Sequence, residues 1–456
     1  MRYIKSKFLQ VIENEEKYFV FHSLFNNPVI LDKSIIEFID LFNIPKSLKE
    51  LNSTIEGDVD AVVNELIDLN FLIENGKNER TLLQNIQQQF LTNLISGKEL
   101  VRLELAISNS CNFGCKHCMH FINNSFQDLT YKEMNMSIET AKSSIDTFIQ
   151  LIKKHENNNV RIHFGNGEPL INWNTIKYCL EYCSSIDNVG FSFAINTNLS
   201  LLDKKKALIL KKYNVKISTS LDGIEKANDL IRVYQNGKGT FQTILKKIQL
   251  LKEIEYPIDG FSITVTDKNF PFIDTSIIDF GKEIGVKDIS MDYDLVNTTL
   301  IPIKECVDKI IKLRKYANSI GMNFYGTWET PYRVLTTNSW LEKPHAFCPA
   351  FEGKTLEFNV DGSIKVCGHT NTKIGHQESI NTLFDMGSSY MNLIKSRLPG
   401  NNEYCIDCKL EGSCAGQCHV TVEASIQNKR LFENMCQLMK LTTVALISEQ
   451  LREDDK

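Results

Sequence analysis

The stretch VRLELAISNSCNFGCKHC, Val101 to Cys118, sets an alternating apolar run directly before three cysteines separated by three and two residues. The alternation in VRLELAI (101–107) reads as a strand. Five further runs share that texture: VRIHF (160–164), VGFSFAIN (189–196), VKISTSL (215–221), DGFSITV (259–265) and VKDISMDYD (286–294), each separated by enough chain for a helix. Strands alternating with helices predict a parallel sheet with right-handed crossovers. Six units are fewer than the eight of a closed barrel, so the expected class is α/β, an open partial (β/α)6 TIM barrel with its site at the carboxyl ends of the strands. Cys111, Cys115 and Cys118 stand at such an end.

Working outward, the chain of 456 residues is long enough for several cores, and 42% hydrophobic with 23% charged residues is ordinary globular composition. A formal charge of -5 offers no broad cationic field, so neither nucleic acid nor an anionic membrane is an expected partner. No apolar run approaches the roughly 20 residues that cross a bilayer, and the first residues lack a signal-peptide core, so the expected location is cytoplasmic. There, thirteen cysteines read as metal ligands rather than disulfides. Ten fall in two groups, the three already named and Cys348, Cys367, Cys405, Cys408, Cys414, Cys418 and Cys436.

Three thiolates in one tight loop suit a 4Fe-4S cluster with one iron left open, whereas zinc takes four protein ligands or three and a water. The segment resembles the signature of the radical S-adenosylmethionine (radical SAM) superfamily. That resemblance implies that the open iron binds the amino and carboxylate groups of SAM, and that reduction yields a 5'-deoxyadenosyl radical which takes hydrogen from substrate. Gly165-Asn166-Gly167-Glu168-Pro169 is similar to the family's GGEP motif, with Asn166 in the first glycine's place, and implies that Glu168 holds the SAM ammonium. Asn196-Thr197-Asn198 resembles the TNG segment, with Asn198 in the glycine's place, and puts Asn196 among the cofactor contacts. Ser220, and Arg232 twelve residues later, match members in which the serine meets the ribose region and the arginine meets the methionine carboxylate, a pairing for which a guanidinium fork is apt. Asp222 between them reads equally as a helix cap or turn residue.

The second cysteine group resembles the seven-cysteine SPASM motif. This implies two auxiliary 4Fe-4S clusters, hence three in all, with Cys405, Cys408, Cys414 and Cys436 on one and Cys348, Cys367 and Cys418 on the other. The latter set is one ligand short. Where relatives supply an eighth cysteine this chain has Glu342, with His345 nearby, and a substrate thiolate, water or His345 are alternative ligands. A zinc ribbon is the alternative for Cys405 to Cys418. Cys179 and Cys183, at i and i+4, read as core residues. Cys306 reads as structural or as a hydrogen donor. Asp292 and Asp294, at the sixth strand's tip, stand where acid–base groups for a substrate would sit, and read alternatively as solvated residues.

The first hundred residues differ in texture, with apolar runs at YIKSKFLQVI and KYFVFHSLF reading as a hairpin and helical stretches following. The expected organisation is a winged-helix-like unit over 1–80, a linker helix over 81–98, the barrel over 99–325 and the SPASM domain over 326–456. The leading unit resembles the peptide-recognition domain (RiPP recognition element) of peptide-modifying members. Its hairpin edge near Tyr18 to Leu24 is expected to take an extended leader as an added strand. The resemblance implies a maturase that crosslinks side chains of a ribosomal precursor peptide through a thioether, C–C or C–O bond, served by an electron donor such as flavodoxin or ferredoxin. The alternatives are a peptide epimerase, a sulfatase-maturating-type enzyme and a non-enzymatic iron–sulfur electron carrier or sensor. Sulfatase-maturating enzymes carry an aspartate just after the second SPASM cysteine, where this chain has Gly368-His369.

Overall fold

The computed structural model describes residues 1–15, 17–118, 134–153, 158–294, 300–337, 346–426 and 428–453. Strand β6 (Arg102–Ser108) is followed by β7 (Asn159–Asn166), β8 (Gly190–Asn196), β9 (Lys216–Ser220), β10 (Gly260–Val265) and β11 (Asp288–Tyr293), within two residues of the six expected spans. All six pair in parallel and in sequence order, numbered after the five strands of the first eighty residues. Their aliphatic residues are covered on both faces, as a parallel sheet between helices requires.

The sheet is wider than six strands. β12 (Asn323–Tyr325) adds beside β11, and β13 (Thr355–Phe358), from the cysteine-rich region, pairs in parallel with β6. β14 (Ser363–Lys365) and β15 (Lys373–His376) continue antiparallel, so β12 and β15 are the two edges and the barrel stays open. β12 and β14 have only three residues each, too few to show a period, and the expected boundary at 325/326 therefore cuts a sheet that in fact runs on.

The leading unit has its own core around Val20, Phe42, Val63 and Phe71. β1 (Tyr3–Lys5) pairs with β5 (Leu72–Glu74), and β2 (Leu9–Asn14), β3 (Lys17–His22) and β4 (Asn26–Asp32) form an antiparallel meander, with three helices between β4 and β5. The expected free edge at Tyr18 to Leu24 is absent: β3 is the middle strand, paired on both sides. The helix Glu79–Leu94, capped by Asn78 Oδ1 accepting from Arg80 N, leads to the barrel.

This unit is seated on the cysteine-rich domain. Arg80 donates from Nη1 and Nη2 to the two carboxylate oxygens of buried Glu411 (2.9 and 3.1 Å) and from Nη2 to Asp407 Oδ1 (3.0 Å). Gly412 N donates to Ser23 O at 2.6 Å, and a Cβ at 412 would stand 2.4 Å from Leu24 O, an approach only glycine permits. The long helix Lys429–Glu453 lies beside β2, where Ser448 O accepts from Asn14 Nδ2. Among the described residues no helix is long and apolar enough to cross a membrane.

Candidate active site

The Cys111–Cys118 loop leaves β6 and lies along residues 231–234: Gly114 N donates to Val233 O, Lys116 N donates to Ile231 O, and the Phe113 and Tyr234 rings meet edge-on at 4.9 Å. This lacing brings the loop beside Arg232. Burial pushes the Cys111 thiol up to about 12 and Cys115 up to about 11. Buried thiols of that kind stay protonated unless a cationic centre displaces the protons. Among the described residues no three His, Cys, Asp or Glu side chains converge on one ion.

Asn166 adopts φ +88°, the left-handed region, which is why an asparagine can stand where the motif has glycine. Glu168 is fully buried and does not line the cavity described below. Its Oε1 accepts from Leu170 N (2.9 Å) and Thr197 Oγ1 (2.7 Å), and Oε2 accepts from Asn198 N (2.7 Å). Burial raises it to about 7 against these bonds. The carboxylate expected at the SAM ammonium thus first ties together the ends of β7 and β8, one layer behind the wall. Asn198 Nδ2 donates to Asn112 Oδ1 (3.0 Å), joining the same wall to the cysteine loop.

Ser220 and Arg232 both face the cavity, Ser220 Oγ lying 3.2 Å from Ser262 Oγ. Asp222 caps no helix: the helix Glu225–Ile231 has no side-chain cap bond. It is instead the buried partner of Arg232, whose Nη2 donates to Oδ1 (3.0 Å) and whose Nε stands 2.9 Å from Oδ2. One edge of the guanidinium is therefore already occupied, which leaves Nη1 and the second N–H of Nη2 for any other partner. His117 Nδ1, 3.7 Å from Asp222 Oδ2, is lowered to about 4 by burial and is a neutral wall residue.

The second cysteine group falls into two neighbourhoods. Cys405 (up to about 12) is raised chiefly by burial and then by Cys436 and Cys408, and Cys414 chiefly by burial and then by Cys436, Cys405 and Cys408. Cys418 (up to about 11) is raised by burial and then by Cys348, and Cys367 by burial with Cys418 among its neighbours. Gln417 Nε2 donates to Cys436 Sγ at 2.5 Å. Glu342 and His345 lie outside the described residues.

One cavity of about 470 Å³ is walled by all three thiols of the first loop, by Asn196, Thr197, Asn198, Ser220 and Arg232, and, from the cysteine-rich domain, by Cys418, Met435 and Met439. Its lining carries residues that spacing arguments missed. Glu357 on β13, Glu104 on β6 and His163 on β7 are register partners in one cross-strand row; burial, and then the opposed Glu104 carboxyl, hold Glu357 far above the usual carboxylate range against the lowering pull of Lys365 and Arg102. The signal was the alternation itself, which points Glu104 and His163 inward. Asp292 lines the cavity. Its Oδ1 accepts from Thr327 N (2.7 Å) and Oγ1 (2.6 Å), its Oδ2 has no hydrogen-bond partner among the described residues, and burial raises it. Asp294 lines it too, with an interaction of its own. Cys306 does not: it is 1% exposed behind Tyr293, whose hydroxyl donates to Cys306 O. Cys179 and Cys183 are core residues as expected.

Comparison with known proteins agrees with this geometry. A family model described as the Radical SAM superfamily matches residues 105–270. The chain is 26% identical over 459 residues, 98% of its length and 96% of the relative's, to the radical SAM cyclopropyl synthase TigE of Paramaledivibacter caminithermalis. It is 30% identical over 266 residues to the uncharacterized protein MJ0907 of Methanocaldococcus jannaschii, covering 58% of this chain and 84% of that one. Its fold superposes on Streptococcus suis SuiB bound to the precursor peptide SuiA with a TM-score of 0.51 at 19% identity, over 93% of this chain and 97% of that one.

Proposed function

The chain belongs to the radical SAM superfamily, and on that premise we propose that it is a peptide maturase that closes an oxidative crosslink or ring in a ribosomally made precursor peptide. The observation that carries this reading is the single cavity shared by the first cysteine loop and the auxiliary cysteine domain. A substrate side chain there lies within reach of both. When bound, the first cluster and SAM supply a 5'-deoxyadenosyl radical for hydrogen-atom removal.

This chain's residues do the rest. Cys111, Cys115 and Cys118 hold the first cluster, and Cys405, Cys408, Cys414, Cys436 and Cys348, Cys367, Cys418 hold two more. Asn196, Thr197, Asn198 and Ser220 shape the SAM wall, Glu168 fixes that wall and puts negative charge behind the ammonium, and Arg232 Nη1 meets the carboxylate. Asp292, which lines the cavity and whose Oδ2 has no hydrogen-bond partner among the described residues, accepts the proton that leaves with the substrate's second electron.

Relatedness to a cyclopropyl synthase favours carbon–carbon ring closure over thioether formation, and SuiB, of like fold, binds a precursor peptide. A sulfatase-maturating role is disfavoured locally, because Gly368-His369 stands where that group carries its aspartate. The test is anaerobic turnover with a peptide encoded beside this chain. Mass spectrometry should show loss of two hydrogens per 5'-deoxyadenosine formed. A product of unchanged mass with one inverted α-carbon would make the chain an epimerase, and SAM cleavage that no peptide stimulates would remove the peptide reading.

A further inference from the structure

Arg397, the last residue of the helix Ser389–Arg397, is 6% exposed, yet no carboxylate lies within ion-pair distance among the described residues. Its Nη2 donates to two backbone carbonyls, Gly416 O (2.5 Å) and Gln417 O (2.6 Å), and the guanidinium stands 5.8 Å from the Phe351 ring centroid. Neutral carbonyls satisfy hydrogen bonds but do not balance a buried full charge, and an arginine does not escape by losing its proton. The groups that act on it electrostatically are Cys405 and Cys414 of one thiol set and Cys418 and Cys348 of the other. The two carbonyls it holds lie between Cys414 and Cys418, one ligand of each set.

We propose that Arg397 is the shared counter-charge of the two auxiliary clusters, holding the segment that joins them and raising both their reduction potentials. The proposal rests on the reading that these seven cysteines carry two clusters. Its physical basis is that cysteinyl iron–sulfur clusters are net anions and gain a further negative charge on reduction, so a fixed cation in a poorly screened interior favours the reduced form. Higher potentials suit the work required in the cavity. Once a hydrogen atom has left the substrate as part of 5'-deoxyadenosine, ring or crosslink closure releases one electron and one proton, and an iron–sulfur cluster is the one-electron acceptor. A cation placed between the clusters, and not beside one of them, raises both acceptors together.

The experiment uses the full-length enzyme, reconstituted anaerobically, as parent, Arg397→Gln and Arg397→Lys. Iron and sulfide are measured first, and each cluster's midpoint potential is then read by spectroscopically monitored redox titration. The expected result is unchanged iron, both auxiliary potentials more negative in Arg397→Gln and mostly restored in Arg397→Lys, with the Cys111 cluster unmoved. Auxiliary potentials unchanged in the glutamine variant, or a shift of one auxiliary cluster alone, overturn the proposal. If the glutamine variant loses auxiliary iron, the lysine variant decides: parental potentials support the assignment, and lowered potentials with full iron overturn it. A parent enzyme with only one cluster's iron instead ends the two-cluster reading, a result distinct from any of these.

Discussion

Replacing Glu168 tests whether the wall of the SAM site is organised from behind. The carboxylate receives three donors, Leu170 N and Thr197 Oγ1 on Oε1 and Asn198 N on Oε2, in a fully buried setting. In Glu168→Gln one oxygen can still serve Leu170 and Thr197, but the amide NH2 then opposes the Asn198 N–H. One bond is lost and two donors face each other, at about 2 kcal/mol. Glu168→Ala leaves all three donors without an acceptor, at roughly 1–3 kcal/mol each. Because Thr197 and Asn198 form the wall, SAM dissociation constants should rise about 30-fold in the glutamine variant and more than about 100-fold in the alanine variant, measured by calorimetry on reconstituted enzyme. Burial raises Glu168 from 4.5 to about 7, so its contribution to stability is fully present below 4.5 and is lost as pH rises through about 7. SAM's ammonium favours the ionised form, so the parent's SAM affinity should rise as pH climbs through that value, and the glutamine variant should lack the slope. SAM affinity within about twofold of the parent in Glu168→Gln would refute the reasoning.

Two other substitutions probe different layers. Asp292→Asn should still form 5'-deoxyadenosine and carry substrate deuterium into it, while finished product falls by about 100-fold or more; parental product formation would take Asp292 out of the chemistry. Arg80→Met strands the buried Glu411 carboxylate at about 3 kcal/mol, which should loosen the first eighty residues toward protease and cost iron at the Cys405 set; an unchanged digestion pattern with full iron would show that the ion pair couples nothing.

How far the sequence could be read depends on how local each cause is. The six strands were legible because a parallel strand covered on both faces writes its own apolar run, and the first cysteine loop because its three thiols sit in one short stretch of chain. Asn166 was legible as a glycine stand-in for a backbone reason, its positive φ. What stayed hidden depends on chain segments far apart in number. Glu357 meets Glu104 only because β13 adds beside β6, and β13 is four residues within a region read as irregular. Asp222 looked like a cap because caps are local, whereas its partner Arg232 arrives from the far end of a helix. The central position of β3 was lost because two adjacent apolar runs suggest a hairpin, and the third strand, Asn26–Asp32, carries Pro28 and two asparagines that weaken its β signature.

That third strand redirects the search for the leader peptide. With β3 paired on both sides, an added strand must use the outer edge of β2 or β4. β2 is flanked by the helix Lys429–Glu453, whereas β4 from Val29 to Asp32 is partly open, with Ile30 44% exposed. We expect the leader on β4. Deleting residues 1–80 would be a poor test, because it also removes Arg80 from Glu411 and Ser23 from Gly412, and so disturbs the auxiliary cysteines themselves. Paired point variants are cleaner. Successive residues of a strand direct their N–H groups to opposite sides, so of Ile30→Pro and Leu31→Pro one removes a donor to β3 and the other a donor to the outer edge. The outer variant should keep parental unfolding behaviour and uncoupled SAM cleavage while weakening binding of a labelled leader by about tenfold, the loss of roughly one backbone hydrogen bond. If both variants bind the leader like the parent in fluorescence anisotropy, the leader is not an added strand on β4, and the β2 edge or a site outside this unit must hold it.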